Sequence, residues 1–238
     1  MGLQMRYPIS EFKLFNRGKQ DTIVLIPGWA TDYRIFERID LDFNYLMPTK
    51  FSPFSFERNL LTTLKKNDLD RVSVLGWSLG GFTASDFAAK HPDKINEVVL
   101  ISVREKYERE NIEKIRSSLN ENKKACLYKF YNNCFLRNEK GALFLFKRNL
   151  LAGYLKADLD LLLEGLDYLS DSQLRLQELK GLKVKFIHGE GDKIAPMEEA
   201  LKLKENLPQA KFISIGKTGH MPFFRPDFKK IFYGVKDE

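Results

Sequence analysis

Along this chain, short runs of β-branched and other apolar residues alternate with stretches whose apolar positions recur every three or four residues. Seven of the short runs predict strands: Ile9 to Phe15, Thr22 to Ile26, Phe43 to Met47, Val72 to Gly76, Glu97 to Ser102, Val184 to His188 and Lys211 to Ile215. Strands that alternate with helical stretches predict an α/β fold class, a doubly wound, mostly parallel sheet. Between Ser102 and about Leu176 the pattern changes to charged helix without a single proline. The periodicity there predicts an inserted helical cap of roughly seventy residues. The expected division is a core of 1–103 and 177–238 with a cap of 104–176. No repeat or low-complexity segment interrupts it. A length of 238 residues suits one α/β domain with an insertion, and 43% hydrophobic content is enough to bury its core.

The pentapeptide Gly76-Trp77-Ser78-Leu79-Gly80 lies between the run Val72 to Leu75 and the helical stretch Gly81 to Lys90. It reads as a nucleophile elbow, a sharp strand-to-helix turn that holds a serine hydroxyl clear of its backbone beside a base and backbone N–H donors. Such a turn strains the serine backbone, and glycines two before and two after leave room where a Cβ would clash. A G-x-S-x-G string alone can mark a plain tight turn, so its weight comes from this strand–turn–helix context.

A serine nucleophile needs a base, and the chain has three histidines. His91, in AAKHPDKI, sits at a helix stop too soon after the serine. His188 ends the apolar run Val184 to Ile187. His220, in TGHMPF, remains as the candidate base. The orienting carboxylate is expected at a strand end between serine and base. HGEGDKIAP offers Glu190 and Asp192 there, and Asp192, after Gly191 and ahead of a helix start, is favoured. Backbone donors for an oxyanion are expected from Leu79, next to the serine, and from Trp29 in the loop Pro27-Gly28-Trp29 after an early strand. The Trp29 indole suits either a pocket wall or plain core.

With VLIPGW, LGWSLGGFTASDFAAKHPDKINEVVLI, HGEGDKIAP and TGHMPF in this order, the chain resembles the α/β-hydrolase superfamily over almost its whole length. Gly28-Trp29 in the first loop and GWSLGG at the elbow make it similar to the pimeloyl-acyl carrier protein methyl ester esterases of biotin synthesis. Carboxylesterases and C–C bond hydrolases share much of this pattern and stay open as alternatives. The resemblance implies an ester hydrolase with Ser78, Asp192 and His220 as its triad and no metal or organic cofactor. Two departures stand out. Pro27-Gly28 replaces the frequent His-Gly, and FNYLMPTKFSPFSF replaces the familiar Asp-x-x-Gly-x-Gly-x-Ser loop. The first helix after Trp29 is therefore expected to shrink to a turn or two around Tyr33 to Ile39.

Charge adds a possible partner. Residues 104–148 carry twelve Lys or Arg against six Glu, nearly all of the chain's net +7. A concentrated basic patch steers an acidic partner, although many such runs are simply solvated helix faces. The resemblance implies an acidic acyl carrier protein at the cap, with Lys123, Lys124, Lys129, Arg137, Lys147 and Arg148 as candidate contacts. Phe130, Tyr131 and Phe135 in the same segment suit an acyl tunnel or ordinary core, and Phe130 is the one carried forward as substrate-binding. A nucleic-acid-binding module, suggested by the basic balance, finds no recognition helix, aromatic RNA motif or zinc spacing. The start MGLQMRYPISEF has no leader pattern, and no apolar run is long enough for a membrane span. Cys126 and Cys134, without metal-ligand spacing, are expected to be free thiols. A soluble, cytoplasmic monomer follows as the expectation.

Overall fold

The computed structural model describes residues 9–234, so most of the N-terminal stretch without a leader pattern lies outside the described residues. Seven strands form one sheet in the order β1-β3-β2-β4-β5-β6-β7. They are β1 (Glu11–Phe15), β2 (Thr22–Ile26), β3 (Asn44–Lys50), β4 (Val72–Trp77), β5 (Ile95–Ile101), β6 (Val184–Gly189) and β7 (Lys211–Ile215). Only β1 is antiparallel, paired with β3. The central strands β2, β4 and β6 are buried along their whole length because helices cover both faces, and so their sequences are mostly apolar, with buried exceptions such as Ser73, Lys185 and His188.

All seven expected strands are present. Ile9 and Ser10 precede β1, β3 starts one residue after Phe43 and continues three beyond Met47, and β5 starts two residues before Glu97 and stops short of Ser102. Pro48 is tolerated inside β3 because β2 pairs only with Asn44 to Leu46, which leaves the missing N–H beyond that ladder. After Trp29 the chain makes a single 3₁₀ turn, Tyr33–Phe36, capped by the Asp32 carboxylate on the Arg34 N–H, so the first helix is indeed reduced.

The sheet is flanked by α1 (Pro53–Lys66), α2 (Leu79–Lys90), α7 (Met197–Asn206) and α8 (Phe228–Tyr233). Between β5 and β6 run α3 (Arg109–Asn133), α4 (Lys140–Phe146), α5 (Ala152–Tyr154) and α6 (Leu159–Asp171), with a widened helical turn, Lys147–Leu151, joining α4 to α5. α3 is bent at Asn122, whose backbone leaves the helical region and whose side chain accepts the Ala125 N–H at 3.0 Å. Asparagine thus starts the second half of the helix as an N-cap.

This helical segment is tied to the sheet by buried polar contacts. The Trp29 indole donates to the Leu162 carbonyl at 2.9 Å, the Tyr131 hydroxyl to the Ala30 carbonyl at 2.5 Å, and the Tyr168 hydroxyl to Asp86 at 2.8 Å. The Ser52 hydroxyl donates to Glu164, a buried carboxyl whose pKa is raised chiefly by burial. Aromatic rings fill the space between these ties. Tyr131, Phe135, Phe146, Tyr154 and Phe224 form one contiguous cluster. Tyr131 and Phe135 are therefore core.

Candidate active site

At the end of β4 the chain turns at Ser78, with φ 53° and ψ −118°, and enters α2 at Leu79. Few non-glycine residues adopt such a backbone, and the surroundings hold it there. A Cβ on Gly76 would stand 2.2 Å from the Gly80 carbonyl oxygen, and one on Gly80 would stand 2.2 Å from that of Ile26. These two glycines let β2, β4 and α2 approach closely enough to form the elbow. The first turn of a helix leaves its N–H groups without intrahelical partners, and the Leu79 N–H belongs to that turn. Gly28 brings the neighbouring loop equally close, since a Cβ there would meet the Trp77 ring at 2.8 Å and Ser78 Cβ at 3.2 Å.

His188 and His220 both face Asp192 Oδ2, at 3.7 and 2.7 Å, while His91 lies apart. His91 contacts Glu57 at 2.9 Å near the surface, and His188 bonds the Ala195 carbonyl at 2.8 Å. Burial pushes the pKa of His188 down, as expected for a neutral structural imidazole. His220 is fully buried, and its Nδ1 lies 2.7 Å from Asp192 Oδ2. The other carboxylate oxygen of Asp192 accepts the N–H groups of Ile194 and Ala195 at 2.8 and 2.9 Å. Burial pushes the Asp192 carboxyl up, but the neighbouring imidazoles and these hydrogen bonds outweigh it and hold it below the usual range. Glu190, the other carboxylate of the loop, is exposed, whereas Asp192 is buried against His220.

Trp77 draws the histidine loop to the elbow. Its indole donates to the His220 carbonyl at 2.8 Å, and the two rings lie 5.4 Å apart. The last link of the expected triad is open. His220 Nε2 is buried and has no hydrogen-bond partner among the described residues, so Ser78 Oγ does not reach it in this conformation. The phenol of Tyr107 is a neighbour of Ser78. Burial pushes that phenol up to about 12, opposed by hydrogen bonding with Ser78.

Beside the elbow opens a cavity of about 330 Å³, lined among others by Gly28, Trp29, Phe51, Leu79, Leu162 and Gly165. Trp29 forms a wall of it and Leu79 part of its floor. Phe130, expected in the pocket, is not among the lining residues. It packs edge-on against Trp29 at 4.9 Å between ring centres and so supports the wall from behind. The basic residues also divide. Lys123 donates to the Ala157 carbonyl and Lys147 lies over the Tyr128 ring, both half-buried. Lys124, Lys129, Arg137 and Arg148 are exposed and make no ion pair among the described residues. Earlier in the segment, Arg109 and Arg116 are neutralised by Asp171 and Asp167 of α6. Free positive charge is thus concentrated between Lys124 and Arg148.

Residues 38–227 match the family model described as alpha/beta hydrolase fold. The chain belongs to that family. Within it, the chain is similar to the pimeloyl-[acyl-carrier protein] methyl ester esterase of Chromobacterium violaceum, 25% identical with 87% of this chain and 89% of that protein covered. The enzyme of the same name from Legionella pneumophila is 24% identical, with 88% and 92% covered. Among solved structures, an esterase from Exiguobacterium antarcticum superposes with a TM-score of 0.79 at 16% identity over 95% of this chain and 94% of that one. A bromoperoxidase from Bacillus anthracis gives 0.79 at 19% identity, with 94% of each covered. These structural likenesses establish the fold. Tyr107 escaped the sequence reading because a lone tyrosine among charged residues after a strand has no motif. Its nearness to Ser78 arises from the path of the chain between β5 and α3.

Proposed function

We propose that this alpha/beta hydrolase is a serine esterase that cleaves the methyl ester of an acyl chain carried by an acidic acyl carrier protein. Ser78 is the nucleophile, His220 the general base and Asp192 its orienting partner, and the Trp29 and Leu79 backbone N–H groups form the oxyanion hole. The observation that carries this reading is the buried His220–Asp192 pair, with Nε2 unpartnered among the described residues and the His220 carbonyl accepting the indole N–H of Trp77, the residue that precedes the serine on its strained elbow. Asp192 keeps the proton on Nδ1, which leaves Nε2 as the acceptor. Ser78 Oγ attacks the ester carbonyl as Nε2 takes its proton. The imidazolium then protonates the methoxide oxygen as its bond to the acyl carbon breaks, and methanol leaves. Water, deprotonated by Nε2, attacks the acyl-serine and releases the carboxylic acid. Each oxyanion N–H is worth about a hundred- to a thousandfold in rate.

Residues 104–176 act in this reading as a cap over a core of 1–103 and 177–238, tied down through Trp29, Ala30, Ser52 and Asp86. The carrier docks on the exposed cations Lys124, Lys129, Arg137 and Arg148, alongside the exposed rings of Tyr128 and Phe144. Support for the carrier-bound substrate comes from this unpaired charge together with the similarity to esterases named for it. Ionic strength tests it. Turnover (kcat/KM) of a carrier-bound methyl ester should fall roughly tenfold or more from low to high salt, and by a similar factor in a Lys124→Glu, Lys129→Glu double variant. Turnover of a neutral p-nitrophenyl ester should respond to neither. Equal responses of the two substrates would reduce the assignment to a small-molecule carboxylesterase or C–C hydrolase.

A further inference from the structure

The six residues Cys134 to Glu139, between α3 and α4, touch both loops that bring His220 and Asp192 together. The Cys134 carbonyl accepts the His220 N–H at 2.8 Å. A single oxygen of Glu139, Oε2, accepts the Gly219 N–H at 2.9 Å and the Leu136 N–H at 2.7 Å. Asn138 Nδ2 donates to the Lys217 carbonyl at 2.8 Å. On the acid side, Leu136 lies so near Gly191 that a Cβ there would come within 2.4 Å of its Cδ1. Gly219 is equally tight, since a Cβ would stand 2.5 Å from the Cys134 carbonyl oxygen and 3.0 Å from Glu139 Oε2.

The histidine loop needs such a clasp. It contains Lys217 with φ 56°, a conformation that an unsupported lysine would leave. Within the sheet side of the site, His220 is restrained at Nδ1 by Asp192 and at its carbonyl by Trp77, and the Gly191 N–H holds the Thr218 carbonyl at 2.9 Å, which leaves the Gly219 N–H to Glu139. We propose that Glu139 is a positioning residue for the esterase reaction: by bridging the Leu136 and Gly219 N–H groups, it sets the distance from His220 Nε2 to Ser78 Oγ. The inference rests on the reading of His220 as the general base. Its carboxyl, half-buried, is raised by burial and drawn back by these two N–H groups and by Arg225. A misplacement of about 1 Å between reacting groups costs on the order of a hundredfold in rate.

The test compares Glu139→Ala and Glu139→Gln in the full chain, using the rate of fluorophosphonate labelling of Ser78 and the kcat and KM for a p-nitrophenyl ester. Glu139→Ala should lower the labelling rate and kcat about ten- to a hundredfold while KM stays within about twofold. Glu139→Gln should remain within about threefold of the parent, because its amide oxygen can accept both N–H groups. If the alanine variant does not fold, Glu139→Asp, one methylene too short to span both donors, takes its place. Labelling of Glu139→Ala at the parental rate, or a glutamine variant as slow as the alanine one, would overturn the inference and leave the triad untouched. A parent protein that reacts with ester but does not label at Ser78 would remove the triad reading and this inference with it.

Discussion

Asp192→Asn is the most informative single change, because the structure dictates how the new amide must sit. Oδ1 of Asp192 accepts two backbone N–H groups, from Ile194 and Ala195, while Oδ2 faces His220 Nδ1 at 2.7 Å. An asparagine keeps the two backbone bonds only if its oxygen takes the Oδ1 position. Its NH₂ group then points at Nδ1, and two donors cannot share that contact. His220 must move its proton to Nε2, where it blocks transfer from Ser78. Packing is unchanged and no backbone group is orphaned, so the fold should hold. The same tautomer error in a serine protease triad lowers kcat about 10⁴-fold, which corresponds to about 5.5 kcal/mol of transition-state stabilisation. We expect a loss of that order in kcat for a p-nitrophenyl ester, with a melting temperature near that of the parent. Asp192→Ala should differ by also losing stability, since it strands both N–H groups in a buried site. An asparagine variant within tenfold of the parent would refute the tautomer argument.

Two further changes probe the scaffold. Gly80→Ala sets a Cβ 2.2 Å from the Ile26 carbonyl oxygen and 2.6 Å from that of Pro27, both backbone atoms. It should cost about 3 kcal/mol, at the upper end for overpacking, and an unchanged urea midpoint would contradict the packing described. Glu164, whose carboxyl is raised by burial beside Ser52 and Asp167, binds its proton more tightly folded than unfolded. Its contribution is therefore full below the unfolded carboxyl value of about 4.3 and declines as pH rises through the raised folded value. Glu164→Gln should remove that decline, so its stability advantage grows across this window and then levels. Parallel pH–stability curves would contradict it.

The parts of the fold that were readable in sequence are those set by local chemistry. Buried parallel strands are predominantly apolar, so Val72 to Leu75 and Val184 to Ile187 stand out despite Ser73 and Lys185, and the elbow requires Gly76 and Gly80 at fixed offsets from Ser78. Three histidines in a known order left one candidate base. What escaped depends on neighbours remote in sequence. Pro48 continues β3 only because β2 stops pairing before it. Which cations stay free follows from where Asp167 and Asp171 of α6 fall against α3. Phe130 backs the Trp29 wall, and Tyr107 reaches Ser78, because of how the helices between β5 and β6 lie on the sheet.

The central claim is that Ser78 forms a covalent acyl intermediate through His220. Rapid quenching of the protein during turnover of a p-nitrophenyl ester, followed by peptide mass mapping, tests it directly. The account predicts one acyl group per chain on the Ser78 peptide, absent from Ser78→Ala and greatly slowed in His220→Ala. Full turnover with no acyl group at Ser78, or with the group on another residue, would contradict it.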